Sequence, residues 1–232
     1  MMRALTLMCG LLAGCDTMVD APEGCQDHTW TCAEVEAAVD AAYGDAEVSC
    51  TDGAETFTIR SSGVPLYTSN QTTPNEITDQ NHVVEIPMAA SCAAQAEDVT
   101  GSRGPTAMAI TGVVLFGPSD ANGRDAIEYE GPTMDDCWGH AAPGGAYHHH
   151  SEPVCAFGTD TDPSEHLAAD GHAPLLAFAY DGFGIYAIDD GDPEGGDLDA
   201  CSGHADTERG YHYHMTEVYP YTFGCYAGTP LR

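Results

Sequence analysis

No lysine occurs anywhere in this sequence. Lysine Schiff-base chemistry and a phosphate-gripping P-loop lysine are therefore excluded. Cationic side chains of any kind are scarce. Six arginines (Arg3, Arg60, Arg103, Arg124, Arg209 and Arg232) stand against 37 acidic residues. The formal net charge of -31 repels nucleic-acid phosphates and anionic lipid headgroups, which argues against both as partners. Such a surface favours cations, and it equally suits solubility or a saline habitat. Long apolar runs are missing too. The stretch from Ala4 to Leu12 is too short to span a bilayer as a helix. Ser202 lies near His204, but no G-x-S-x-G elbow surrounds it, so no nucleophile arrangement stands out.

What is present begins at the N-terminus. Arg3, the apolar run and Leu12-Ala13-Gly14-Cys15 together resemble a bacterial signal peptide ending in a lipobox. On that reading residues 1–14 are removed and Cys15 is lipidated. Residues 15–24 are then a tether, and acyl chains hold the protein on a membrane of the cell envelope. Cys9 leaves with the signal. Eight cysteines remain, an even number that suits four disulfides in an oxidising compartment.

Thr31 and Glu34 form a capping-box pattern ahead of a helix from Ala33 to Tyr43, with Gly44 as its stop. Residues 25–55 are thus expected to be a helical cap. Beyond Gly44 the chain reads as short β runs punctuated by Gly, Pro, Asn and Asp. They are Phe57 to Ile59, Val83 to Ile86, Ile110 to Phe116, Ala126 to Tyr129, Leu175 to Tyr180 and Gly184 to Ile188. Ser164 to Ala169 is the best remaining helical stretch. The expected fold is all-β, mainly antiparallel, with a short N-terminal helix and disulfide stabilisation.

The sequence also repeats itself. Cys137-Trp-Gly-His140 followed by Tyr147-His148-His149-His150 matches Cys201-Ser-Gly-His204 followed by Tyr211-His212-Tyr213-His214. Both read C-x-G-H-x6-Y-H-x-H, 64 positions apart. Asp135 matches Asp199, and Cys155 has its counterpart in Cys225. Upstream, Ala107 to Pro118 resembles His172 to Gly184, with Phe116-Gly117 opposite Asp181-Gly182. Two β units, about 105–158 and 170–228, are expected to pack around a pseudo-two-fold axis inside one domain spanning 56–232.

These segments, with Ala179 to Tyr186 and Tyr219 to Cys225, resemble the YHYH domain family, named for the tetrapeptide Tyr211 to His214. The resemblance covers roughly Phe57 to Gly228. His149 replaces the family's tyrosine in the first copy, and Gly184 replaces its usual proline. The resemblance implies an exported bacterial domain and carries no activity with it.

Residues i and i+2 of a strand share a face. His148 and His150 therefore present two imidazoles together, as do His212 and His214, while His140 and His204 loop back towards them. Three converging neutral imidazoles suit Cu(II) or Zn(II), in two separate sites or one dinuclear site. His149, His172 and Asp181 are secondary ligand candidates. Cys137 and Cys201 have zinc-ligand spacing to their histidines, but in an exported protein pairing with Cys155 and Cys225 takes precedence. Asp190 to Asp199 resembles a Ca2+ loop whose twelfth position is Cys201 rather than glutamate, so a solvated acidic turn is the expectation and Ca2+ the alternative. The leading function is transition-metal binding at the cell surface. The alternatives are a metal-dependent enzyme, as a copper oxidoreductase or zinc hydrolase, and a metal-free structural or adhesive module.

Overall fold

The computed structural model describes residues 18–189, 191–192 and 195–231. The expected signal peptide and the lipidation site Cys15 lie outside them. The N-terminal part forms β1 (Met18–Asp20), β2 (His28–Thr29), helix α1 (Cys32–Asp40), β3 (Glu47–Ser49), β4 (Thr56–Ser61), β5 (His82–Pro87), β6 (Ala89–Ala90) and β7 (Cys92–Asp98). Then follow β8 (Pro105–Ala109), β9 (Val114–Phe116), helix α2 (Ala126–Glu130), β10 (Gly139–Ala141), β11 (Tyr147–His149), β12 (Leu175–Ala179), β13 (Gly184–Tyr186), β14 (Gly203–Asp206), β15 (Gly210–His214) and β16 (Cys225–Gly228). The protein is mainly β, with largely antiparallel sheets and two short α-helices among the described residues.

The centre is an eight-stranded sheet in the order β10-β11-β9-β8-β12-β13-β15-β14. Outward from the β8–β12 pair, each side gives an antiparallel neighbour, then a parallel one, then an antiparallel edge. Both faces of the central strands are covered, so β8 and β12 read as near-continuous apolar runs rather than alternating ones. Their side chains still alternate between two cores. Ala107, Ala109, Ala177 and Ala179 join Leu115, Phe183, Ile185, Tyr211 and Tyr213 on one face. Met108, Val114 and Phe178 on the other face pack against Val35 and Val39 of α1 and Phe57 and Ile59 of β4. Each such fully buried side chain contributes about 1.5–3 kcal/mol relative to exposure.

Helix α1 forms where the capping box predicts. The Thr31 hydroxyl accepts from the Glu34 amide at 3.3 Å, and the Glu34 carboxylate accepts from the Thr31 amide at 2.8 Å. It stops at Asp40, before Gly44. Four disulfides join Cys25–Cys92, Cys32–Cys50, Cys137–Cys155 and Cys201–Cys225. The last two are the pairings expected within the two motif segments.

Several elements differ from expectation. Ala126–Glu130 is helical, because the Asp125 side chain caps it by accepting from the Glu128 amide at 3.0 Å. Ile110 to Phe116 is not one strand. The chain turns at Ile110-Thr111-Gly112, with Gly112 at φ +90°, and β9 starts only at Val114. A similar turn joins β12 to β13 at Tyr180-Asp181-Gly182, with Gly182 at φ +94°. Thr111-Gly112 therefore stands opposite Asp181-Gly182, and the expected pairing of Phe116-Gly117 with that dipeptide is misaligned. Ser164 to Ala169 shrinks to a 3-10 turn over Pro163–His166.

Candidate metal centre

One transverse row of the central sheet runs through His140, His148, Val114, Met108, Phe178 and Gly184. It continues to His212 and His204, whose strand β15 pairs with β13 one residue further on. The row thus starts and ends in histidine, with the apolar core of that face between. The motif builds each end the same way. Asp135 accepts from the Cys137 and Gly139 amides at 3.0 Å, which folds the C-x-G-H turn, and its other oxygen takes the Tyr147 phenol at 2.6 Å. Asp199 does the same with Cys201, Gly203 and Tyr211. The residue before each motif glycine is left-handed, Trp138 at φ 58° and Ser202 at φ 65°.

His140, His148 and His150 converge in the first group. Their Nε2 atoms lie 3.1 Å apart for His140–His148 and 3.0 Å for His148–His150. His172, His204, His212 and His214 form the second group, with Nε2 separations of 3.0 Å for His204–His212 and 3.1 Å for His172–His212. Within each group the ligand atoms all lie within 4.8 Å of one another. Four ligands in a tetrahedron with bonds of about 2.0–2.1 Å lie about 3.4 Å apart, so this spacing fits one ion per group. The groups share no member and stand five strand steps apart, roughly 24 Å along the sheet at ~4.8 Å per step. The geometry is that of two separate sites rather than one dinuclear site.

The Nδ1 atoms fix the proton positions. His148 Nδ1 faces the Ala146 carbonyl at 3.0 Å and His150 Nδ1 the Gly117 carbonyl at 2.7 Å. His212, His214 and His172 face the carbonyls of Gly210, Ala187 and Ala173 at 3.1, 3.0 and 2.8 Å. A carbonyl only accepts, so each Nδ1 carries the proton and each neutral ring turns an unprotonated Nε2 inward. The Thr133 hydroxyl, which donates to the Glu130 carbonyl at 2.7 Å, accepts from His140 Nδ1 at 2.9 Å. Buried His214 Nε2 has no hydrogen-bond partner.

Burial holds the rings of His140, His148, His150, His172, His212 and His214 neutral. It lowers His140 and His150 to about 4, where neighbouring histidines push the same way, and it lowers His212 to about 3 and His214 to about 4. His148 falls well below the ordinary imidazole value and His172 falls too, both mainly through burial. Phe116 stacks on His148 with centroids 3.9 Å apart. Tyr186 of β13 meets His172, His212 and His214 edge-on or tilted at 4.8 to 5.9 Å.

The six motif histidines of the sequence reading all fall in these two groups. Of the secondary candidates, His172 joins the second group, arriving from the loop before β12. His149 points to the opposite face, with Nδ1 on the Trp138 carbonyl at 3.0 Å. Asp181 lies on that opposite face too, where its carboxylate accepts from the Tyr213 phenol and the Gly228 and Phe183 amides. Glu130 was not singled out by its sequence pattern. It ends α2 with Oε2 3.7 Å from His140 Nε2 and 3.5 Å from His150 Nε2, and burial raises its carboxyl. In the acidic stretch, Asp192 accepts from the Gly196 and Asp197 amides, as a turn does, and no described residue there joins a metal-type group; Asp190 and Glu194 lie outside the described residues.

The fold and these groups define a mainly β, four-disulfide protein with two histidine clusters, each of which could hold a metal ion. A family model described as YHYH protein matches residues 83–195, which supports the resemblance read from the sequence. The match takes in the first motif and ends before His204, His212 and His214. No curated protein and no solved structure was found to match the chain.

Proposed function

We propose that this protein binds transition-metal ions, copper or zinc, one at each histidine cluster. The observation that carries the reading is the set of unprotonated Nε2 atoms held 3.0–3.1 Å apart by Nδ1 donors anchored elsewhere. With both rings of a pair neutral, no proton lies between the nitrogens, and their lone pairs repel. A bound cation turns that repulsion into ligation, and backbone carbonyls on Nδ1 are the usual outer partners of metal-bound histidine. The matched pairing senses on the two sides of the central sheet support a duplicated unit with pseudo-two-fold symmetry. Four disulfides support an exported location, with Cys15 as the lipid anchor.

Elemental analysis of protein purified without a histidine tag tests the metal reading. We expect up to two copper or zinc ions per chain. Replacing His212 and His214 by alanine should remove about half, since the clusters are separate. Metal-free protein that takes up none on addition would leave the structural or adhesive module as the better account.

A further inference from the structure

The two clusters share three motif histidines each but differ in the fourth donor at hand. In the second cluster it is His172, a neutral imidazole whose Nε2 stands 3.1 Å from His212 Nε2. The first cluster has no fourth histidine. Its nearest further donor is the Glu130 carboxylate, 3.5 and 3.7 Å from His150 and His140. The two donors also come from different places. Helix α2, between β9 and β10, supplies Glu130, while the corresponding stretch between β13 and β14 contains no helix among the described residues. His172 comes from the loop before β12. The surroundings differ as well. All three histidines of the first cluster are buried, with Glu130 side chain 31% exposed beside them. His172 and His204 lie towards solvent.

We infer that the clusters are chemically distinct sites: a three-histidine, one-carboxylate site completed by Glu130, and an all-imidazole site completed by His172. This rests on the metal-binding reading above. A carboxylate brings a full negative charge and a hard oxygen donor, which suits Zn(II) and Co(II). An all-imidazole set gives no charge compensation and suits Cu(II). Relative to the second site, the first therefore favours zinc over copper.

Two single-site proteins separate the effects: His212→Ala with His214→Ala leaves the first cluster, and His148→Ala with His150→Ala leaves the second. Each is stripped with a chelator, checked for native circular dichroism, and titrated with Co(II) by visible absorption and with Zn(II) and Cu(II) by competition. In the first-site protein Glu130→Gln should weaken Zn(II) by at least about tenfold, the low end of what even an outer partner contributes. It should also shift the Co(II) bands, while the same change in the second-site protein alters neither. His172→Ala should act only on the second site. Unchanged affinity and Co(II) spectrum on Glu130→Gln, or equal zinc-to-copper preference at the two sites, overturns this inference alone. No uptake by either folded single-site protein overturns it together with the metal reading.

Discussion

A motif glycine and a tyrosine eight residues on form one device in both copies of the motif. A Cβ on Gly139 would overlap the phenol of Tyr147, and one on Gly203 would overlap that of Tyr211. The phenol reaches over the glycine to the aspartate that folds the turn, so the ring fixes where His140 or His204 points. Gly203→Ala should therefore force the buried ring aside at about 1–3 kcal/mol, the usual cost of overpacking. Thermal unfolding of the variant should show a lowered midpoint, and an unchanged one would mean that Tyr211 is not seated there. At this scale the sequence was informative where spacing was local. Strand alternation puts His148 with His150 and His212 with His214, and the tyrosine before each pair, Tyr147 or Tyr211, is buried on the opposite face. His172, which meets His212 across 40 residues, is only a secondary candidate from its sequence, and Glu130 is none, because Ala126 to Tyr129 reads as a strand rather than the helix it forms. Neither contact leaves a periodic trace.

Where one element meets another, Asp181 is the clearest fastener. It sits in the β12–β13 turn, and its Oδ2 takes the Tyr213 phenol of β15 at 2.6 Å and the Gly228 amide of β16 at 3.0 Å. Burial pushes its carboxyl up to about 6 in spite of those donors. The unfolded value is about 3.9, so the native state binds the extra proton between roughly pH 4 and 6. The associated stability is fully present below about pH 4 and is lost as pH rises through 6, amounting to on the order of 3 kcal/mol. Asp181→Asn removes the titration. The stability of wild type relative to this variant should then be greater at pH 4.5 than at pH 7 in urea unfolding. A difference independent of pH would show that Asp181 does not titrate there. The sequence makes Asp181 a secondary ligand candidate in an Asp-Gly dipeptide; the turn is there, but the partners its carboxylate takes instead of a metal are 32 and 47 residues away and leave no local signal. The same limit explains α2 and the β8–β9 turn. Ala126–Glu130 spans five residues, too few for a helical period to show, and Thr111-Gly112 interrupts an otherwise apolar run.

For the molecule as a whole, attachment and charge are linked. Among the described residues no helix is long and apolar enough to cross a membrane. Six arginines against 37 acids leave no polybasic segment to hold an anionic lipid surface, and a net charge of -31 opposes approach to one. Membrane association on our reading therefore depends wholly on the lipid at Cys15. A single acyl chain holds a protein only marginally, and stable anchoring needs two chains or one chain with basic residues. On the same reading, with basic residues so scarce, the lipid at Cys15 comprises more than one chain. Cys15→Ala should move the protein from the membrane fraction to the soluble one. Lowering the ionic strength should not bring it back, because the electrostatic force it strengthens is repulsive. Fractionation at low and high salt, with intact-mass measurement of the wild-type N-terminus, checks both steps. A variant that stays on the membrane without lipid would refute the anchor, and return at low salt would refute the charge argument.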